Sequence, residues 1–276
     1  MRPDRADNKH TRTAPDGVHV PRLTAGATVR HVLVLLPPSE TKRGGGDGPP
    51  LRIDALAHPE LTPLRAELVD EVVKLAGDPD AAMAALGLSP NQDEEVARNA
   101  ELWTSPTVPA LQRYSGVLYD ALDFSSLRGT AAVRARRRLA VGSALFGLLT
   151  ADDMVPAYRL SAGSALPGRG TLAAAWRPAL DPVLAAIAAR ELVVDLRSGS
   201  YMALGRVPGA VTVTVRTAGG AVVSHFNKAH KGKLARLLAG TRAEPSDAGG
   251  VAALARRAGM RVERRGNALE LVLPAP

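Results

Sequence analysis

Two short apolar runs constrain this chain more than any other feature. Val32-Leu33-Val34-Leu35-Leu36 stops at Pro37-Pro38, and Leu192-Val193-Val194-Asp195-Leu196 stops at Arg197-Ser198-Gly199. Each has the length of a strand, is dominated by Val and Leu, and is closed by turn residues, so each reads as a buried strand that leaves directly into a loop. A chain with such strands must cover them. Helical spacing supplies the cover: Leu61, Leu64, Leu68, Val72 and Leu75 mark one face of an amphipathic helix. The combination predicts an α/β or mixed α+β fold, with a mixed sheet and surrounding helices.

Further elements follow the same logic. Ser89-Pro90 with Asp93, Glu94 and Glu95 supplies a cap, an N1 proline and an acidic first turn. Residues 130–138 and 179–190 read as helices, and Leu139-Ala140-Val141 as a strand running into Gly142-Ser143. Val211 to Val215 alternates as a strand, and Ala218-Gly219-Gly220 predicts a hairpin turn into a partner strand, Val222 to Phe226. Lys228 to Leu238 then forms a basic helix with Asn227 as a candidate cap and Gly240 as its end. A helix near 249–258 and a small hairpin at Gly266-Asn267 complete the chain. Residues 1–30 are polar and aperiodic and read as a disordered tail ahead of one domain, 31–276, with translation expected to start near Val29.

Composition excludes several function classes. There is no cysteine, so there are no disulfides, thiolate metal sites or Cys nucleophile, which fits a reducing cytoplasm. No apolar run reaches the ~18 residues of a membrane span, and no secretory h-region is present. The histidines lack the carboxylate company of a metal centre, and no metal or other cofactor is expected. The net charge of +8 favours a polyanionic partner, although residues 1–30 carry six basic and three acidic side chains and so hold +3 of it.

The scarce aromatics lie beside polar motifs, an arrangement suited to a polar site with flat walls. Ser39, Thr41 and Lys42 leave the first strand and could bind phosphate; a solvated connection is the plain alternative. Arg113-Tyr114-Ser115-Gly116 with Tyr119-Asp120 could clamp a phosphate or simply pack with polar tips outward. Ser143 sits in a glycine-flanked turn before Tyr158-Arg159, suggestive of a phosphate-approaching hairpin or of tight helix packing. Asp195, Arg197 and Ser198 at a strand exit form either an active-site nucleus or an ion pair that fixes a loop. Ser224-His225 with Lys228, His230 and Lys231 offers cations and a candidate base, or a solvated helix face.

Taken in order, Leu35 to Lys42, Arg113 to Tyr119, Phe146-Gly147 with Tyr158-Arg159-Leu160, Asp195 to Ser198, and Ser224 to Gly232 resemble the YaaA family of peroxide-stress proteins, in its actinobacterial branch. The resemblance spans residues 32 to about 273. It implies a cytoplasmic protein that limits oxidative damage and free iron, with a basic cleft and a helix-hairpin-helix-like element that binds double-stranded DNA. Other branches carry a Ser-Pro-Ala-Lys motif near the start; here Pro37 and Glu40 stand at its Ser and Lys positions, leaving Lys42 as the substitute lysine. On the DNA reading, Arg113, Arg159, Arg197, Lys228 and Lys231 neutralise phosphates, Ser39, Ser198 and Ser224 donate hydrogen bonds, and Tyr114, Tyr119 and Tyr158 line the cleft. On the alternative, an enzyme for a nucleotide, nucleobase or phosphorylated small molecule, the catalytic candidates are Asp195, Arg197, His225 and Tyr119, with Lys228 holding anionic groups.

Overall fold

The computed structural model describes residues 31–217 and 224–273, with backbone alone for 224–226. Its first strand, β1 (Val32–Leu36), is buried at every position, as its sequence demands. The chain then forms β2 (Gly48–Pro50), α1 (Thr62–Leu75), α2 (Pro79–Leu86), α3 (Asp93–Ala100), β3 (Pro106–Pro109), α4 (Ala110–Arg113), α5 (Val117–Leu122) and α6 (Gly129–Arg138). Only after this long excursion does it return to the sheet as β4 (Leu139–Ser143), which pairs parallel to β1 with Val34 opposite Leu139. The edge strand β5 (Gly147–Thr150) folds back antiparallel on β4.

The second half builds the sheet in the other direction. After β6 (Met154–Val155), α7 (Leu172–Ala188) leads to β7 (Leu192–Asp195), which pairs parallel to the free side of β1 with Leu35 opposite Asp195. A short α8 (Gly199–Met202) precedes β8 (Val211–Thr217), and α9 (Ser224–Gly240), α10 (Ala248–Arg257), β9 (Val262–Arg265) and β10 (Ala268–Leu273) close the chain. The sheet order is β5-β4-β1-β7-β8-β10-β9, with β4, β1, β7, β8 and β10 parallel and the two edges antiparallel. A smaller sheet, β2-β3-β6, stands beside it. The fold is therefore mixed α/β, as the alternation of buried strands and amphipathic helices requires.

Since the chain builds outward from β1 on one side and then on the other, β1 and β7 flank a topological switch point. The loops that leave their carboxyl ends diverge there, the usual ligand position in open α/β sheets. Helix α9 packs on β1 and β8, and α5 and α6 pack on α9. The close approach of α5 and α9 depends on Gly232: a Cβ there would stand 2.2 Å from the Leu118 carbonyl oxygen.

Two local expectations change. The glycine-flanked turn at 142–147 joins strands β4 and β5, so it is not a helix-hairpin-helix element; its residues are buried because they belong to the sheet. Helix α9 already begins at Ser224, so 224–226 are helical rather than the second strand of a hairpin, and Asn227 lies inside the helix rather than capping it. The expected turn at Ala218-Gly219-Gly220, the first two residues of its expected partner strand (Val222 and Val223) and the tail at 1–30 lie outside the described residues. No helix among the described residues is long and apolar enough to cross a membrane.

Candidate functional site

The loop leaving β1 carries Lys42 back under the protein. Its backbone bridges Tyr114 in antiparallel fashion, and Arg43 N donates to Arg113 O at 2.9 Å. Ser39 holds the loop closed: its hydroxyl donates to Thr41 O and accepts from Ser115 N at 3.1 Å. The result is a lysine only 5% exposed. Its Nζ donates to the carbonyls of Ser39 (3.0 Å) and Glu40 (3.2 Å) and lies 4.2 Å from the centre of the Tyr158 ring and 5.8 Å from that of Tyr114. Among the described residues no carboxylate pairs with it. Burial, aided by the Arg159 charge, pushes the Lys42 amine down to about 7, with Glu95 and Glu40 opposing.

The phenols beside it form a hydroxyl chain. Ser143 Oγ accepts from Leu145 N (3.2 Å) and Phe146 N (3.0 Å), which fills both lone pairs and leaves its proton for Tyr158 Oη at 2.7 Å. Tyr158 Oη and Tyr114 Oη share a second hydrogen bond at 2.9 Å. The Tyr114 hydroxyl is the end of the chain. Tyr119 stacks on Tyr114 with centroids 5.6 Å apart and donates to Pro37 O at 2.8 Å. Burial raises Tyr114, Tyr119 and Tyr158 above the usual phenol range, so all three stay protonated hydrogen-bonding groups. Tyr201, near Glu40 and Arg159, is pushed up to about 12 by burial.

Arg159 completes the cluster. Its backbone is held on both sides by Asn99 of α3, whose Nδ2 donates to Arg159 O and whose Oδ1 accepts from Arg159 N, both at 2.8 Å. The guanidinium, with 13% of its side chain exposed, has one ionic contact, Glu40 at 3.8 Å, and donates no hydrogen bond among the described residues. That contrasts with the other largely buried arginines. Arg65 donates to Phe146 O, Leu148 O and Ala57 O, and Arg138 donates to three carbonyls and to Glu244.

Two arginines expected from the sequence to hold phosphate are engaged with the protein itself. Arg113 is buried and donates to Val155 O, Arg43 O and Pro106 O, so it ties the small sheet to the β1 loop. Arg197 grips Asp195 with Nε–Oδ1 at 3.0 Å and Nη2–Oδ2 at 2.8 Å, and also donates to Tyr201 O and Gly205 O. Its stem lies across Gly142, where a Cβ would meet Arg197 Cδ at 2.7 Å. The pair thus spans from β7 to β4 and ties down the loop that leaves β7. Lys231 donates to Leu196 O (3.0 Å) and Arg197 O (3.4 Å) beneath the same loop, and burial lowers its amine.

The remaining candidates divide. Ser143 is buried in the phenol chain, whereas Ser198 is exposed against Ser200 at 3.1 Å, and Lys228 is exposed on α9. The side chains of Ser224 and His225 lie outside the described residues. Asn99 does not stand out in the sequence; a polar residue on the buried side of α3 is its only trace. A concavity of about 370 Å³ lined in part by His230, Lys233, Met260 and Arg261 lies by β9 and β10, away from β1.

A family model described as "Peroxide stress protein YaaA" matches residues 32–256. A UPF0246 protein of Corynebacterium efficiens is 48% identical over 240 residues, covering 84% of this chain and 95% of its own. One from Corynebacterium glutamicum is 45% identical over 244 residues, covering 86% and 96%. Another, from Streptomyces coelicolor, is 47% identical over 221 residues, covering 78% and 85%. With the match running from the buried first strand into α10, the chain belongs to the peroxide stress protein YaaA (UPF0246) family.

Proposed function

We propose that this protein serves the peroxide-stress response as an enzyme of the cytoplasm that binds a small anionic metabolite, phosphorylated or carboxylated, in the crevice at the carboxyl ends of β1 and β7. The observation that carries this reading is the Arg159 guanidinium. It is largely buried, is positioned through its backbone by Asn99, and keeps its donors uncommitted beside Lys42. A planar fork of N–H groups in that state matches a carboxylate or phosphate. Lys42 and the tyrosine chain supply proton-transfer groups next to it. The link to low free iron expected of the family is then a consequence of the metabolite chemistry.

Duplex DNA is the second reading. It is favoured by Lys228 and Lys233, both exposed on α9. Such contacts bind phosphates without sequence preference and weaken steeply with salt.

Thermal unfolding in inorganic phosphate and in glyoxylate tests the first reading. The wild type should gain a few degrees at saturating anion, and Arg159→Met should gain none. Equal shifts in the two proteins would reject it. Fluorescence anisotropy on duplex DNA at two salt concentrations tests the second: retention near physiological salt with loss in Lys228→Ala/Lys233→Ala would favour it.

A further inference from the structure

We propose that Lys42 forms an imine with a small carbonyl compound whose anionic group is held by Arg159, with Tyr114 delivering the proton to the carbonyl oxygen. The inference rests on the small-anion reading of the crevice and names the substrate class: an aldehyde or 2-oxo acid bearing a carboxylate or phosphate.

Three observations converge on it. First, Lys42 is a buried amine with no carboxylate partner among the described residues; its contacts are two loop carbonyls and the faces of two rings. A neutral amine has two N–H donors, which those two carbonyls satisfy, and one lone pair left for attack. Lysines desolvated in this way, next to a second cation, are the ones that act as nucleophiles at neutral pH. Here the second cation is Arg159, and the amine is held at about 7 by burial first and that charge second.

Second, the phenols form a continuous hydroxyl chain. Ser143, Tyr158 and Tyr114 are joined hydroxyl to hydroxyl, so a proton given up at Tyr114 can be replaced along the chain. Third, Arg159 offers uncommitted donors to an anionic group on the same ligand. Amine, proton donor and anion holder therefore come from three separate loops that meet beyond the carboxyl end of β1.

The step balances within these groups. The Lys42 lone pair forms the C–N bond while the carbonyl π pair moves to oxygen. That oxygen takes the Tyr114 proton, and the attacking nitrogen returns one to Tyr114. The carbinolamine then loses its hydroxyl together with the remaining N–H proton as water, leaving C=N. No oxidant or reductant is required.

Borohydride trapping tests the inference. The full chain is incubated with glyoxylate, or with acetaldehyde as an uncharged comparator of similar size, then reduced, digested and analysed by mass spectrometry. The expected result is a reduced adduct on the peptide carrying Lys42, absent in Lys42→Arg. With Arg159→Met the glyoxylate adduct should fall about tenfold or more, the loss typical of a charge-assisted contact, while the acetaldehyde adduct is unchanged. No adduct at Lys42, or adducts confined to exposed lysines such as Lys228 and Lys233, overturns the imine. If glyoxylate still stabilises the wild type and not Arg159→Met, the small-anion reading survives that failure. An adduct at Lys42 indifferent to ligand charge and to Arg159→Met overturns the Arg159 assignment and the small-anion reading with it.

Discussion

A buried lysine with a lowered pKa makes folding depend on pH in a direction opposite to that of a salt-bridged lysine. Lys42 titrates near 10.5 when unfolded and about 7 when folded. Between these values the unfolded chain holds a proton that the folded one does not, so stability rises with pH across that window. Below about 7 both states are protonated and the full destabilisation is present. Only the groups facing the amine set this behaviour: Arg159 lowers it, Glu95 and Glu40 raise it, and Tyr114 and Tyr158 remain neutral. The limiting slope is about 1.4 kcal/mol per pH unit, and since pH 7 is the midpoint, roughly 2 kcal/mol is recovered between pH 7 and pH 9. Lys42→Met keeps the volume and removes the titration, while Lys231 and all other groups remain in both proteins and cancel. Urea unfolding of the two at pH 7 and pH 9 should show the wild type gaining about 2 kcal/mol on the variant. A difference that stays constant over that range would mean Lys42 is charged in the folded state, and the case for a neutral amine would fail.

Three further substitutions probe the frame around it. Asp195→Asn leaves the buried Arg197 without its paired carboxylate and should cost about 3 kcal/mol or more in urea unfolding; a change under 1 kcal/mol would mean the pair does not tie down that loop. Tyr158→Phe removes the hydroxyl that links Ser143 to Tyr114 and should cost about 1–3 kcal/mol in urea unfolding, since it leaves both neighbouring hydroxyls without that partner. Gly232→Ala forces α5 and α9 apart at Leu118 and should lower stability by about 1–3 kcal/mol without touching Arg159 or Lys42, so anion-induced stabilisation should persist.

The strands and the loops that leave them are legible in the sequence because burial and turn chemistry are local. Val32–Leu36 and Leu192–Asp195 announce themselves, and so do the positions of Lys42 and Arg197 soon after them. What sequence does not show is which cations already have partners. Arg113, Arg197 and Arg159 look alike in a one-dimensional reading, each flanked by an aromatic or a serine. Their difference lies in distant carbonyls: Val155 and Arg43 for Arg113, Tyr201 and Gly205 for Arg197, and nothing comparable among the described residues for Arg159. The hairpin at Gly142–Gly147 misleads for a related reason. Glycines flanking a short apolar turn suit tight backbone approach in either helical or strand context, and the sheet partner that decides between them, β1, is over a hundred residues away. The start of α9 is obscured because Val222 to Phe226 has strand composition, while Ser224 to Phe226 are carried into the helix by its long continuation to Gly240.

Survival of hydrogen peroxide by cells that depend on this protein tests the central claim most directly. An actinobacterial strain lacking its own family member would carry the wild type, Lys42→Met, Arg159→Met or Lys228→Ala/Lys233→Ala at matched levels. The crevice account predicts that Lys42→Met and Arg159→Met lose protection while the surface double variant keeps it. Protection retained by both crevice variants and lost in the surface variant would contradict it and move the function to the exposed face of α9.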